Sequence, residues 1–257
     1  MDLVNDTMRA LAFLSRLPVP QRWFEGYDGS LSSTVRGFPV AGMLVALPAS
    51  LVLLIAHALD LPEIVSALLI VVALIITTGA LHEDGLADVA DGFYGGTSID
   101  RRLEIMKDSA AGSYGVIALI VSVFLRTALL ATILDEVGVI HALAIIIGTE
   151  AVSRSVMAKF WQSLPSVRAG GVADQAGAPT AEAANFALIL GAVALAISYG
   201  AAGGPLAIVV AACLTALVFV GFSALCREKI GGQTGDTLGA MQQLATISLL
   251  LGLVIAL

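Results

Sequence analysis

Charge is what this chain has least of. Only 13% of its 257 residues are Asp, Glu, Lys or Arg, and 6% are aromatic, whereas soluble domains carry about 25% charged residues. That scarcity excludes an ordinary water-facing surface. Basic charge is the scarcer sign, with 13 Lys and Arg against 20 Asp and Glu and a net charge of −7. No nucleic-acid partner is expected, because such a partner calls for a basic surface. Cysteine is nearly absent. Cys213 and Cys226 fall on one expected helix, about 20 Å apart at 1.5 Å per residue, too far for a disulfide. The acidic start and the lack of a small-residue cleavage site argue against a secretory signal peptide. No internal repeat or low-complexity tract is evident.

What is abundant is apolar length. Apolar residues make up 58% of the chain, and the mean hydropathy is +0.95. Runs long enough to cross a bilayer lie at 38–59, 61–81, 115–134, 137–157, 184–202, 204–226 and 239–257. The expected fold is all-α: a polytopic membrane bundle of about seven transmembrane helices, forming a single domain over 1–257. Residues 2–17 alternate Leu3, Val4, Met8, Leu11, Phe13, Leu14 and Leu17 with Asp2, Asp6, Arg9 and Arg16, and Pro18 and Pro20 follow. This is the pattern of an interfacial amphipathic helix. Tight turns at Asp135–Gly138 and 203–205, and at 60–62, join the runs in pairs, leaving three longer polar loops on the opposite side, 82–114, the stretch after the fourth run and 227–238, together with 1–37 before the first run. Twelve of the thirteen basic residues fall on that side or at its span ends, and Arg126 lies inside a span. By the positive-inside rule that side is cytoplasmic. A bacterial inner membrane with the active site on the cytoplasmic face is the expected location.

The chemistry concentrates in Leu81–Gly96, LHEDGLADVADGFYGG. On a helix, Asp84, Asp88 and Asp91 fall at i, i+4 and i+7, within an arc of about 60°. Three carboxylates so close raise one another's pKa unless a cation sits between them. An oxygen-only ligand set suits Mg²⁺ or Mn²⁺. The competing reading is a solvated acidic first turn favoured by the helix dipole. His82 borders the aspartates and is a candidate base, although on a helix it points about 160° from Asp84.

Two further motifs share the cytoplasmic side. In RRLEIMKDSAAGSYG, Lys107 and Asp108 precede the Gly112 and Gly115 turn, where a phosphate or pyrophosphate could be met. In GGQTGDTLGAMQQL, Asp236 and Gln243 share one helix face, and Thr234 or Asp236 could instead cap the helix. Arg126 and Glu150 are intramembrane ions, expensive unless paired or functional. Their depths suggest that they pair with each other.

HEDGLADVADGF, KDSAAGSYG and GGQTGDTLGA, with the opening FLSRLPVP and the later FPVAG, together resemble the cobalamin synthase family of bacterial and archaeal membranes, the adenosylcobinamide-GDP ribazoletransferases. The resemblance runs over most of the chain. It implies an enzyme joining adenosylcobinamide-GDP to α-ribazole or its 5′-phosphate, releasing GMP and forming adenosylcobalamin or its 5′-phosphate. It also implies Mg²⁺ on Asp84, Asp88 and Asp91, phosphate contacts from Lys107 and Arg36, and a base drawn from the aspartates or His82. Glu83 is the weaker ligand candidate. Two alternatives are a lipid phosphotransferase of the CDP-alcohol class, whose DGxxAR pattern is not matched, and a divalent-cation transporter lined by Arg126 and Glu150.

Overall fold

The computed structural model describes residues 2–27, 29–168, 170–171, 174 and 176–257. Among them the regular structure is helical, with no strand and one isolated parallel bridge between Ser166 and Gln233. Helix α1, Leu3–Leu14, is capped by the Asp2 carboxylate, which accepts the Val4 N–H at 3.0 Å. It ends where the Ser15 hydroxyl donates to Leu11 O and accepts from Leu17 N–H, just ahead of Pro18. Its buried face, Ala10, Leu11 and Leu14, packs on a 3₁₀ turn at Thr34–Gly37 and on α2, Phe38–Ala58.

Helix α3, Glu63–Thr78, starts after Pro62 and stops at Gly79. Gly79 and Ala80 are both left-handed, with φ of 66° and 58°, a conformation that an alanine adopts only when its surroundings impose it. The corner bends the chain by 91° into α4, Leu81–Gly95. The run expected to span over 61–81 is therefore a 16-residue helix, about 24 Å long. Polar α4 lies across its end and does not continue the span. After α5, Ile99–Ile105, come α6, Ser113–Ser163, α7, Ala181–Ile230, and α8, Gly235–Ala256.

Helices α6 and α7 each double back at a glycine in a non-helical conformation: Gly138 (φ 72°, ψ 172°) and Gly204 (φ 66°, ψ −163°). On a straight α6, Ser122 and Ser153 would be about 46 Å apart. Both instead reach adjacent glutamines of α8, Ser122 donating to Gln243 Oε1 at 3.2 Å and Gln242 donating to Ser153 Oγ at 3.1 Å. By length and composition the described residues contain four helices able to cross a bilayer, or five if the bent α3–α4 pair counts as one. By this measure the count is below the expected seven, because the expected turns at 135–138 and 203–205 are the breaks at Gly138 and Gly204 inside α6 and α7, each of which doubles back, and the second run ends at Gly79. Large apolar side chains such as Leu51, Ile120, Phe124, Ile189 and Leu217 remain exposed, as a lipid-facing exterior requires. Inside, small residues let helices close up: a Cβ on Gly191 would strike Ser155, and one on Gly252 would strike the Ala211 backbone.

Beneath α4 is a buried polar network. Arg126 pairs with Glu83 at 3.0 Å, and Gln243 Nε2 donates to the same Glu83 oxygen at 3.1 Å. Glu150 pairs with Arg154 one turn along α6, and Arg154 Nη2 donates toward His82 Nε2 at 3.4 Å. The expected Arg126–Glu150 pair does not form, because each ion has a nearer partner. Arg154, counted above among the cytoplasmic charges, is fully buried and so carries less topological weight.

Candidate active site

Helix α4 has two faces. His82, Glu83, Gly85, Val89, Gly92 and Phe93 are buried, whereas Asp84 is exposed and Asp88 half-buried. The buried face fixes the outer one: Glu83 is held from α6 and α8, and Gly85 meets the start of α8, where an added Cβ would come within 2.6 Å of the Asp236 backbone oxygen. The acidic stretch and GGQTGD, 150 positions apart, thus meet at one place. The Asp88 carboxyl is pushed up from 3.8 to about 7, first by burial, then by the negative charges of Asp84 and Asp236, with Arg168 opposing. Asp84, Asp88 and Asp236 form the acidic face.

Arg168 completes it. Its Nη1 lies 2.9 Å from Asp236 Oδ2, and among the described residues its buried Nε and Nη2 have no hydrogen-bond partner. A two-stranded backbone clasp places it there: Gln233 N–H donates to Pro165 O at 2.8 Å, and Val167 N–H to Gln233 O at 3.0 Å. Gly232 allows this approach, since a Cβ there would collide with the Pro165 carbonyl. Sequence reasoning used Arg168 only as a topology charge. No local motif marks it, because its role depends on a contact across 68 positions. Arg16 was missed in the same way. Its side chain lies over Gly79, and with Asp84 it lines a largely polar cavity of about 450 Å³ between α1 and the α3–α4 corner.

The other sequence candidates are placed elsewhere. Asp91 is already engaged: its carboxylate accepts the N–H groups of Gly112 at 2.7 Å and Gly115 at 2.9 Å, capping α6 from another helix. A Cβ on either glycine would run into that carboxylate. His82 is 2% exposed. Burial, then Arg154 and Arg126, hold its pKa well below the usual histidine value, so it is a neutral core residue turned from the acidic face. Arg36 is bound to Asp6 of α1. Thr234 is the N-cap of α8, in a capping box with Thr237, and Gln243 is committed to Glu83 and Ser122. Both Thr234 and Gln243 are buried, at 1% and 2% exposed, and hydrogen-bonded within the fold. Lys107 and Asp108 are exposed beyond α5, with Asp108 accepting the Ala110 N–H at 3.0 Å. Among the described residues no hydrogen bond or ion pair joins their side chains to the acidic face.

Among the described residues no three His, Cys, Asp or Glu side chains are gathered into a ready metal cage. What remains is two open carboxylates, Asp84 and Asp88, with Asp236 and Arg168 beside them. That set suits a hard cation bound through one or two carboxylates and completed by substrate oxygens, the usual manner of Mg²⁺.

No solved structure matches the chain. A model of the cobalamin-5-phosphate synthase family matches residues 6–254. A protein of Brucella ovis named adenosylcobinamide-GDP ribazoletransferase is 49% identical over 255 residues, covering 99% of this chain and 98% of its own. One of Brucella melitensis bearing the same name is 48% identical over the same shares. These matches favour neither a lipid phosphotransferase nor a cation transporter. With near-complete coverage by the family model and by relatives at this identity, the chain belongs to the cobalamin-5-phosphate synthase family.

Proposed function

We propose that the protein is the transferase its relatives are named for, taking adenosylcobinamide-GDP and α-ribazole or its 5′-phosphate, releasing GMP and forming adenosylcobalamin or its 5′-phosphate. The observation that supports this most directly is the meeting of α4 and the start of α8, which sets three carboxylates against one arginine at the edge of an apolar bundle. A pyrophosphate donor needs such a place. Asp84 and Asp88 would hold Mg²⁺, which when bound neutralises charge developing on the departing GMP. Arg168, with two N–H groups unpartnered, can turn part of its fork from Asp236 to a phosphate, the group that planar donor best matches. Asp236 keeps that arginine aimed while the site is empty of substrate. The proton of the attacking ribazole hydroxyl passes to a carboxylate of this face; buried His82 is no part of the step.

The basic residues Arg101, Arg102, Lys107, Arg168, Arg227 and Lys229 support placing the acidic face on the cytoplasmic side of a bacterial inner membrane. Purified protein incubated with Mg²⁺, adenosylcobinamide-GDP and α-ribazole should yield GMP and a completed corrinoid in equal amounts. Intact substrates after incubation, with protein shown to be folded, would reject the reading. For orientation, Tyr94→Cys in a chain lacking Cys213 and Cys226 should react with a membrane-impermeant thiol reagent only from the cytoplasmic side.

A further inference from the structure

We infer that the cavity between the end of α1 and the α3–α4 corner is the seat of the ribazole acceptor, and that Arg16 holds its 5′-phosphate; this rests on the transferase reading above. The cavity measures about 450 Å³, and its walls include Phe13, Ser15, Arg16, Thr78, Gly79 and Asp84. Its cation, carboxylate and aromatic side chain complement a phosphorylated, hydroxylated, aromatic molecule, and the Ser15 and Thr78 hydroxyls, which donate to backbone carbonyls, can only accept from it. The volume lies within the range of small-molecule sites. It suits a nucleoside monophosphate and is too small for a corrinoid carrying a nucleotide.

The site is built, not incidental. Ser15 ends α1 through its bonds to Leu11 and Leu17, and the Arg16 N–H then donates to Thr77 O at 2.8 Å, tying the segment to the last turn of α3. The Arg16 side chain crosses Gly79, whose φ of 66° and lack of a Cβ leave room for it. Phe13 packs against Phe38 and Trp161, each with ring centroids 6.3 Å away.

Asp84 is the common wall. It lines this cavity and bears electrostatically on Asp88 and Asp236. A ligand seated on Arg16 therefore presents its hydroxyls to the acidic face. Arg168 stands by Asp236, leaving separate cations for the two substrates: Arg168 for the donor pyrophosphate and Arg16 for the acceptor.

The test is the ratio of kcat/KM for α-ribazole 5′-phosphate to that for α-ribazole, at saturating adenosylcobinamide-GDP, in wild type, Arg16→Ala and Arg16→Lys. Arg16→Ala should lower this ratio by about tenfold to a hundredfold, the range for one lost charge-assisted hydrogen bond. Arg16→Lys, which keeps the charge but not the fork, should fall between and decides the matter should the alanine variant not fold. An unchanged ratio in either variant, or a raised KM for adenosylcobinamide-GDP with the acceptor constants unmoved, overturns the assignment while leaving the transferase reading intact. A wild-type protein that releases no GMP with either acceptor overturns the transferase reading and this assignment with it.

Discussion

Arg126 and Glu83 meet at 3.0 Å between α6 and α4, with side chains 3% and 8% exposed. The pair anchors the buried edge of the acidic helix to the membrane bundle. Removing one member leaves the other charge buried without its counter-ion, a loss of about 3–5 kcal/mol. Arg126→Leu and Glu83→Leu should each reduce the yield of monodisperse protein in detergent, and the double change should recover part of it. Arg126→Leu combined with Glu150→Leu should show no such recovery. A cycle that couples Arg126 to Glu150 and not to Glu83 would contradict the pairing.

Asp91 and Asp84 share a helix and should fail differently. Asp91→Ala removes a carboxylate that accepts two backbone N–H groups at the start of α6, bonds worth roughly 1.5–3 kcal/mol each when one partner is charged. It should lower the melting temperature, and added Mg²⁺ should not restore activity. Asp84→Asn alters an exposed residue, so the melting temperature should hold while the Mg²⁺ needed for half-maximal turnover rises several-fold. Equal melting temperatures for the two variants would refute the capping role.

For Asp88 the sign of the pH effect is set by a folded-state pKa raised from 3.8 to about 7. Between those values the folded protein binds more protons at this site than the unfolded chain does. Stability therefore falls as pH rises through the window and stays lower above it. In EDTA the melting temperature should drop between pH 5 and pH 8. Asp88→Asn should flatten that slope, and Mg²⁺ should raise the wild-type value at pH 8 more than at pH 5. A slope unaffected by Asp88→Asn would show that other groups set it.

Gly85 and Gly95 sit on the same helix with different surroundings. A Cβ at Gly85 would lie 2.6 Å from the Asp236 carbonyl oxygen, whereas at Gly95 the nearest atom is Ile105 Cδ1 at 3.7 Å. Gly85→Ala should force α4 from α8, costing about 1–3 kcal/mol, and should cut turnover by spreading Asp236 from Asp84 and Asp88. Gly95→Ala should be tolerated. Full GMP release by Gly85→Ala would separate the catalytic function from this close approach.

Much of the site was legible because its residues carry unusual chemistry. Aspartates clustered in a chain with 13% charge stand out, and Asp84 and Asp88 do share an open face. The link to Asp236 was also readable, since both motifs border polar segments of one sidedness. Periodicity alone did not separate Asp91 from its neighbours. Seven residues along a helix it faces the same way, but the N–H groups of Gly112 and Gly115 lie there and no feature of α4 announces them. Glu83 was undervalued for the converse reason, its worth coming from Arg126 and Gln243 on two other helices.

The amino-acid sequence by itself determined the solvent and the class of structure: apolar runs without charge must satisfy their backbone groups internally, and helices do so within one segment. It also placed the acidic stretch and most of the basic residues in the polar segments between those runs. Only the tertiary structure decided which ion meets which, that two long helices fold back at Gly138 and Gly204, and that Arg16 and Arg168 flank the aspartates. Pairing energy depends on distance through space. Arg168 reaches Asp236 through a clasp of two backbone hydrogen bonds, and Arg16 reaches the cavity across a left-handed glycine; neither contact is encoded in the spacing of residues along the chain.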